Sequence, residues 1–198
     1  MTEPPTIIST LDSRPDYAAA LGIICAEWAN IEWQMFHFYT SVSGAPPALA
    51  RATFGSLESN RARVEMILAC CKTVVPDKND ITVIDGLLTR IRRTAGNRNK
   101  AVHDLWCVAD TPQREVMQLR LSAVDGSQCV EGIALKDLQA LAQRIRDLAG
   151  ELVALRERIT PKIQASLEKL RRQQGLGLVF APKGHPPGRK PKGFHSLP

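Results

Sequence analysis

The chain has 198 residues, 44% of them hydrophobic and 23% charged, which is enough for one globular core and holds no run of about 18 apolar residues to span a membrane. The formal net charge of +6 is concentrated at one end: seven of the 26 basic residues and none of the 20 acidic ones lie in Lys169–Pro198. A basic surface over the whole domain is therefore excluded, and the C-terminal segment stands either as a phosphate-binding tail or as a solubilising one. The five cysteines (Cys25, Cys70, Cys71, Cys107, Cys129) are odd in number and lack C-x-x-C spacing, which argues against a disulfide framework or a zinc site and for buried thiols in a reducing compartment. "MTEPPTIIST" has neither a basic n-region nor a long apolar run, so residues 1–12 read as a leader rather than a secretion signal, with a cytoplasmic location expected.

In chain order, Ser13, Pro15 and Asp16 form a helix start, and Leu21, Ile24, Cys25, Trp28, Ile31, Met35 and Tyr39 recur at spacings of three and four on one helical face. Glu32 interrupts that face one turn after Trp28. "SGAPP" at 43–47 breaks the chain. A second helix is predicted through 56–75 on the stripe Leu57, Val64, Ile67, Leu68, Cys71 and Val75, and a third from about Asp80 on Ile81, Ile84, Leu87, Leu88 and Ile91. Between about 106 and 133 the period changes: Met117, Leu119, Leu121 and Ala123 alternate between "DTPQ" and "DGS", the pattern of a two- or three-stranded meander leaning on the helices. From Leu135 the helical pattern returns, with Leu138, Leu141, Ile145, Leu148, Leu152, Leu155 and Ile159 forming a heptad seam. The seam packs either inside the monomer or against a second copy. Thr160-Pro161 reads as a kink or as the start of a last helix carrying Ile163, Leu167 and Leu170.

The fold class expected is mainly α: a four- or five-helix up-and-down bundle over residues 13–174, with a small β-hairpin or meander inserted before a long C-terminal helix. Residues 175–198, rich in Gly, Pro and Lys, are expected to be disordered.

One stretch departs from pure packing logic. In "AGNRNKAVHDLW", residues 95–106, helical projection from Ile91 places Arg98, Val102 and Leu105 within about 40° of the buried face, where a guanidinium needs partners. His103 lies about 140° around the helix from Arg98 and about 7.5 Å along its axis. The two converge if Arg98 reaches along the surface. They also converge if Gly96-Asn97 interrupts the helix, so that Asn97 caps a new one whose N-terminus favours phosphate.

Arg98-Asn99-x-x-x-His103 resembles the R-x4-6-H signature of the HEPN superfamily, small α-helical domains found in prokaryotic toxins, phage-defence ribonucleases and related proteins. The resemblance covers roughly residues 16–106 and weakly the long helix beyond. It departs from the family at Asp104, where a small residue such as glycine is common, and in the β insertion. The resemblance implies a homodimer whose two motifs line one cleft, RNA as substrate, and an antitoxin or regulatory partner. The implied activity is metal-independent RNA cleavage.

The residue types suit that reaction. A histidine can take the 2′-OH proton or protonate the 5′-oxygen, and an arginine can bind the phosphate and neutralise developing charge. The products would be a 2′,3′-cyclic phosphate and a 5′-hydroxyl, and DNA would be inert. Asn99 would orient the phosphate or His103, and Glu32 would hold Arg98 or polarise His103. The other reading makes Arg98 and His103 structural, in a non-catalytic HEPN-like dimer that serves as an interaction or nucleic-acid-binding module. His37 reads as a packed or surface histidine, Trp28, Trp33, Phe36, Phe38 and Tyr39 as core in preference to a base-stacking platform, and Arg90, Arg92 and Arg93 as a positive approach for RNA or simply a solvated face. No cofactor or metal is expected: the glycine-rich phosphate loop of nucleotide enzymes is missing and the ligand spacing does not suit zinc.

Overall fold

The computed structural model describes residues 7–9, 11–109, 115–121 and 128–173. The tail 175–198, both meander turns and Ala123 lie outside the described residues. The elements are β1 (Ile7–Ser9), a 3-10 turn (Leu11–Ser13), α1 (Pro15–Ser43), α2 (Pro47–Gly55), α3 (Asn60–Val74), α4 (Lys78–His103), β2 (Leu105–Ala109), β3 (Val116–Leu121), β4 (Gln128–Gly132) and α5 (Leu135–Gln173). This is the mainly helical bundle with a small antiparallel sheet before a long last helix that the hydrophobic spacing predicts.

Helix α1 starts with Pro15 in its first turn, where the missing N–H costs nothing, and Arg14 rather than Ser13 occupies the cap position. It ends at Gly44, whose φ of 58° is the left-handed conformation that glycine adopts freely. Its face of Ile24, Trp28, Ile31, Met35 and Phe38 is buried, chiefly against α5. All seven residues of the heptad seam on α5 are buried within this single chain, so the seam is a core stripe of the monomer. Helix α3 is capped by Ser59, whose side chain accepts from the Ala62 N–H at 3.1 Å, and α4 by Asp77, which accepts from Asn79 at 2.9 Å.

Several expectations are corrected. Helix α2 occupies 47–55, where the sequence read only a break. Pro47 lies in its first turn, where proline starts a helix as readily as it stops one. Helix α4 passes unbroken through Gly96-Asn97, so Asn97 caps nothing, and it stops at His103, which puts Leu105 in β2 and 57% exposed. Helix α5 likewise runs through Pro161, with the Thr160 hydroxyl donating to the Arg156 carbonyl at 2.7 Å just before it. The leader is not separate from the domain: Ile7–Ser9 pairs antiparallel with β2, making the sheet four-stranded in the order β1-β2-β3-β4. The thiols divide: Cys71 and Cys107 are buried, Cys70 is half-buried, and Cys25 and Cys129 are exposed. Among the described residues, no helix is long and apolar enough to cross a membrane.

Candidate functional site

The stripe that packs α4 into the bundle continues from Ile91 through Ala95 to Arg98 by the three-and-four spacing of a helix. At Arg98 the stripe meets α1, and the guanidinium lies 5.8 Å from the centre of the Trp28 ring. Trp28 is buried, so it gives the cation a rigid aromatic floor. The arginine is incompletely satisfied: Nη1 donates to Asn99 Oδ1 at 3.1 Å, and Nε is shielded from solvent with no partner. An orphaned buried donor costs on the order of 1–3 kcal/mol, so it calls for an explanation beyond packing.

His103 forms the last residue of α4 and is exposed, with no hydrogen bond from its ring among the described residues. Asn99 is exposed on the turn between, its carbonyl oxygen steering the Arg98 fork. On a continuous helix Arg98 and His103 stand about 7.5 Å apart along the axis and about 140° apart around it. One copy therefore presents them to different directions.

Glu32 is held elsewhere. It accepts from Arg63 Nη1 at 3.0 Å, while Arg63 Nε donates to the Leu57 carbonyl at 2.9 Å and the guanidinium lies 5.1 Å from the Phe54 ring centre. Glu32 thus ties α1 to α3, away from Arg98. His37 packs edge-on against Trp33 at 4.5 Å, and Trp33 itself is 52% exposed instead of core. Arg90 forms an ion pair with Glu151 of α5, and Arg92 and Arg93 are exposed.

The β insertion has a definite job at this place. Helix C-termini leave carbonyls without partners. Here the Trp106 indole donates to the Ala101 carbonyl at 2.8 Å, and Gln118 Nε2 donates at 2.7 Å to the Lys100 carbonyl, which also accepts from the Asp104 N–H at 3.2 Å. Asp104 Oδ2 accepts from Arg120 Nε at 2.8 Å and Nη2 at 2.6 Å, which raises the Arg120 pKa. Asp104, the departure from the family pattern, is therefore the clamp that fastens the motif helix to β3. Hydrophobic periodicity carries no trace of these contacts; the only sequence signal is polar residues at inward strand positions, of which Gln118 is one. A cavity of about 350 Å³ opens beside the same two turns of α4.

No family model, curated protein or solved structure matches the chain.

Proposed function

We propose that the protein is a HEPN-type, metal-independent RNA endonuclease that acts as a homodimer in the cytoplasm, with Arg98 and His103 as its reacting groups. The observation that carries this is the pairing of an arginine with an unsatisfied, shielded Nε on a rigid indole floor with an unengaged histidine one and a half turns later. A structural arginine would have spent its donors inside the fold.

The reaction balances with these groups alone. One imidazole takes the 2′-OH proton as the 2′-oxygen attacks phosphorus, and a protonated imidazole gives a proton to the departing 5′-oxygen. Arg98 carries charge developing on the non-bridging oxygens. Acid and base must approach from opposite sides of the phosphorus, which one His103 cannot do. The same histidine of a second copy supplies the other role, and this is the reason for the dimer. Asn99 positions the guanidinium. Control by an antitoxin or other regulatory partner would act by covering this cleft.

The test incubates wild type, Arg98→Ala and His103→Ala with labelled tRNA and single-stranded RNA in EDTA and maps the product ends. Wild type is expected to leave 2′,3′-cyclic phosphate and 5′-hydroxyl ends, and each variant to lose cleavage while remaining folded. Mixing the two inactive variants should restore nothing, because a mixed dimer holds a single His103 and so lacks either the acid or the base, and excess His103→Ala should poison wild type by the same route. Cleavage should survive removal of residues 175–198, whereas tail-driven binding would not. Folded, dimeric wild type that leaves every RNA intact would overturn the nuclease and leave the binding module.

A further inference from the structure

The cavity beside the motif is built from four elements: Asn97 and Lys100 on α4, Gln118 on β3, Glu131 on β4, and Asp137 and Arg144 on α5. Its volume of about 350 Å³ is in the range of small-molecule sites. Three features indicate a ligand of mixed character rather than a packing defect. First, Lys100 and Arg144 face the space from separate helices, and among the described residues neither side chain has an ion-pair or hydrogen-bond partner. Second, Gln118 is 93% buried, and its amide cannot turn, because Nε2 is committed to the Lys100 carbonyl. Oε1 is thereby presented as a fixed acceptor. Third, Glu131 and Asp137 add two carboxylates to the rim; neither forms an ion pair among the described residues, although Glu131 helps to raise the pKa of the neighbouring Arg120.

We propose that this cavity binds one guanine nucleotide: the phosphate between Lys100 and Arg144, and the base edge against Gln118 Oε1 and the Asp137 or Glu131 carboxylate. A bare anion would be repelled by the two carboxylates, and a bare cation by the lysine and arginines. A nucleotide answers both, since it pairs an anionic phosphate with donor groups on its base. Guanine alone among the four RNA bases offers adjacent N1–H and N2–H donors to a carboxylate. Uracil offers one N–H flanked by two carbonyls that these acceptors would repel. Because Asn97 and Lys100 share the last two turns of α4 with Arg98 and His103, the occupant is either a nucleotide of bound RNA next to the scissile phosphate or a free guanine nucleotide. The first source rests on the nuclease reading; the cavity itself does not.

Calorimetric titration of the full-length protein with GMP, AMP, CMP and UMP tests the site without any cleavage. GMP is expected to bind tightest and UMP weakest. Arg144→Ala should weaken all four by about tenfold, as loss of a charged hydrogen bond does. Asp137→Asn together with Glu131→Gln should lower GMP affinity selectively and leave UMP unchanged. Failure of GMP to bind at millimolar concentration, or GMP binding untouched by these substitutions, overturns the proposal. The source is read separately from the cleavage map. Cuts clustered beside guanosine that scatter in the double carboxylate variant assign the site to RNA. GMP binding with no such clustering, or with no cleavage at all, assigns it to a free nucleotide even if the nuclease reading fails.

Discussion

The two ends of α4 carry charge in opposite ways. At its N-terminal end Asp80 is buried, yet its carboxylate is met by Lys162 Nζ at 2.6 Å and Arg158 Nη2 at 3.3 Å, both from α5. It also lies in the first turn, where the helix dipole favours a negative charge. At the C-terminal end Arg98 has a shielded Nε and His103 an imidazole that find no partner among the described residues. The first arrangement closes a bundle. The second leaves hydrogen-bonding capacity unused on a helix that Asp104, Trp106 and Gln118 hold firmly in place. Rigid support around unspent polar groups is what a binding or reacting site needs.

Substitutions at the two ends should therefore separate stability from activity. The largest expected effect is at the open end: His103→Ala should lower RNA cleavage by at least about 10²-fold with the thermal midpoint within about a degree of wild type. Equal losses of melting temperature and of activity would remove the contrast. In the core between the ends, Ile145→Ala should cost roughly 2–5 kcal/mol in urea unfolding, because this side chain is fully buried on the α5 seam. A smaller cost accompanied by dissociation of the proposed dimer would put the seam at an interface instead. At the closed end, Asp80→Ala should cost roughly 1–3 kcal/mol, reduced from a fully buried pair because both cations are half exposed, and cleavage per folded molecule should be unchanged.

A fourth outcome concerns pH. Burial raises the Cys71 thiol from 9.0 to about 12, so the folded state binds a proton that the unfolded state releases first. Stability is then unaffected below about pH 9 and falls as pH rises towards 12. Urea midpoints of wild type should drop by the equivalent of roughly 1–2 kcal/mol between pH 8 and 10.5, and this part of the drop should vanish in Cys71→Ala. Iodoacetamide at pH 8 should label Cys25 and Cys129 in the native protein and Cys71 only after unfolding. The smallest effect is expected at the exposed Arg90–Glu151 pair, where Arg90→Ala should change stability by less than about 1 kcal/mol and lose that difference in high salt.

The long helices were legible because each buries a stripe that repeats with the helical period, and Ile24, Ile67, Ile84 and Ile145 all lie where that period puts them. Prolines were the main source of error. Pro47 opens a helix and Pro161 sits inside one, since the same residue is tolerated in a first turn and, given enough packing on either side, in an interior. The strand Ile7–Ser9 was illegible because its partner is an edge a hundred residues away. In the candidate site, the positions of Arg98 and His103 on one helix followed from spacing. Their neighbours did not: Trp28 and not Glu32 lies by Arg98, and Arg63 holds Glu32, because the register of α1 against α3 and α4 is set by side-chain shape.

By itself the sequence determined the elements whose signal is local: helix faces, the break at Gly44, the change of period into the sheet, and the anomaly of an arginine on an apolar stripe. Only the tertiary structure decided that the α5 seam is internal, that the β insertion caps α4, and that a cavity bordered by Lys100, Gln118 and Arg144 lies next to the motif. Periodicity reports how each residue is turned relative to its own element. Which groups from distant elements meet depends on how those elements pack, and burial, unpaired donors and cavities exist only once they have done so.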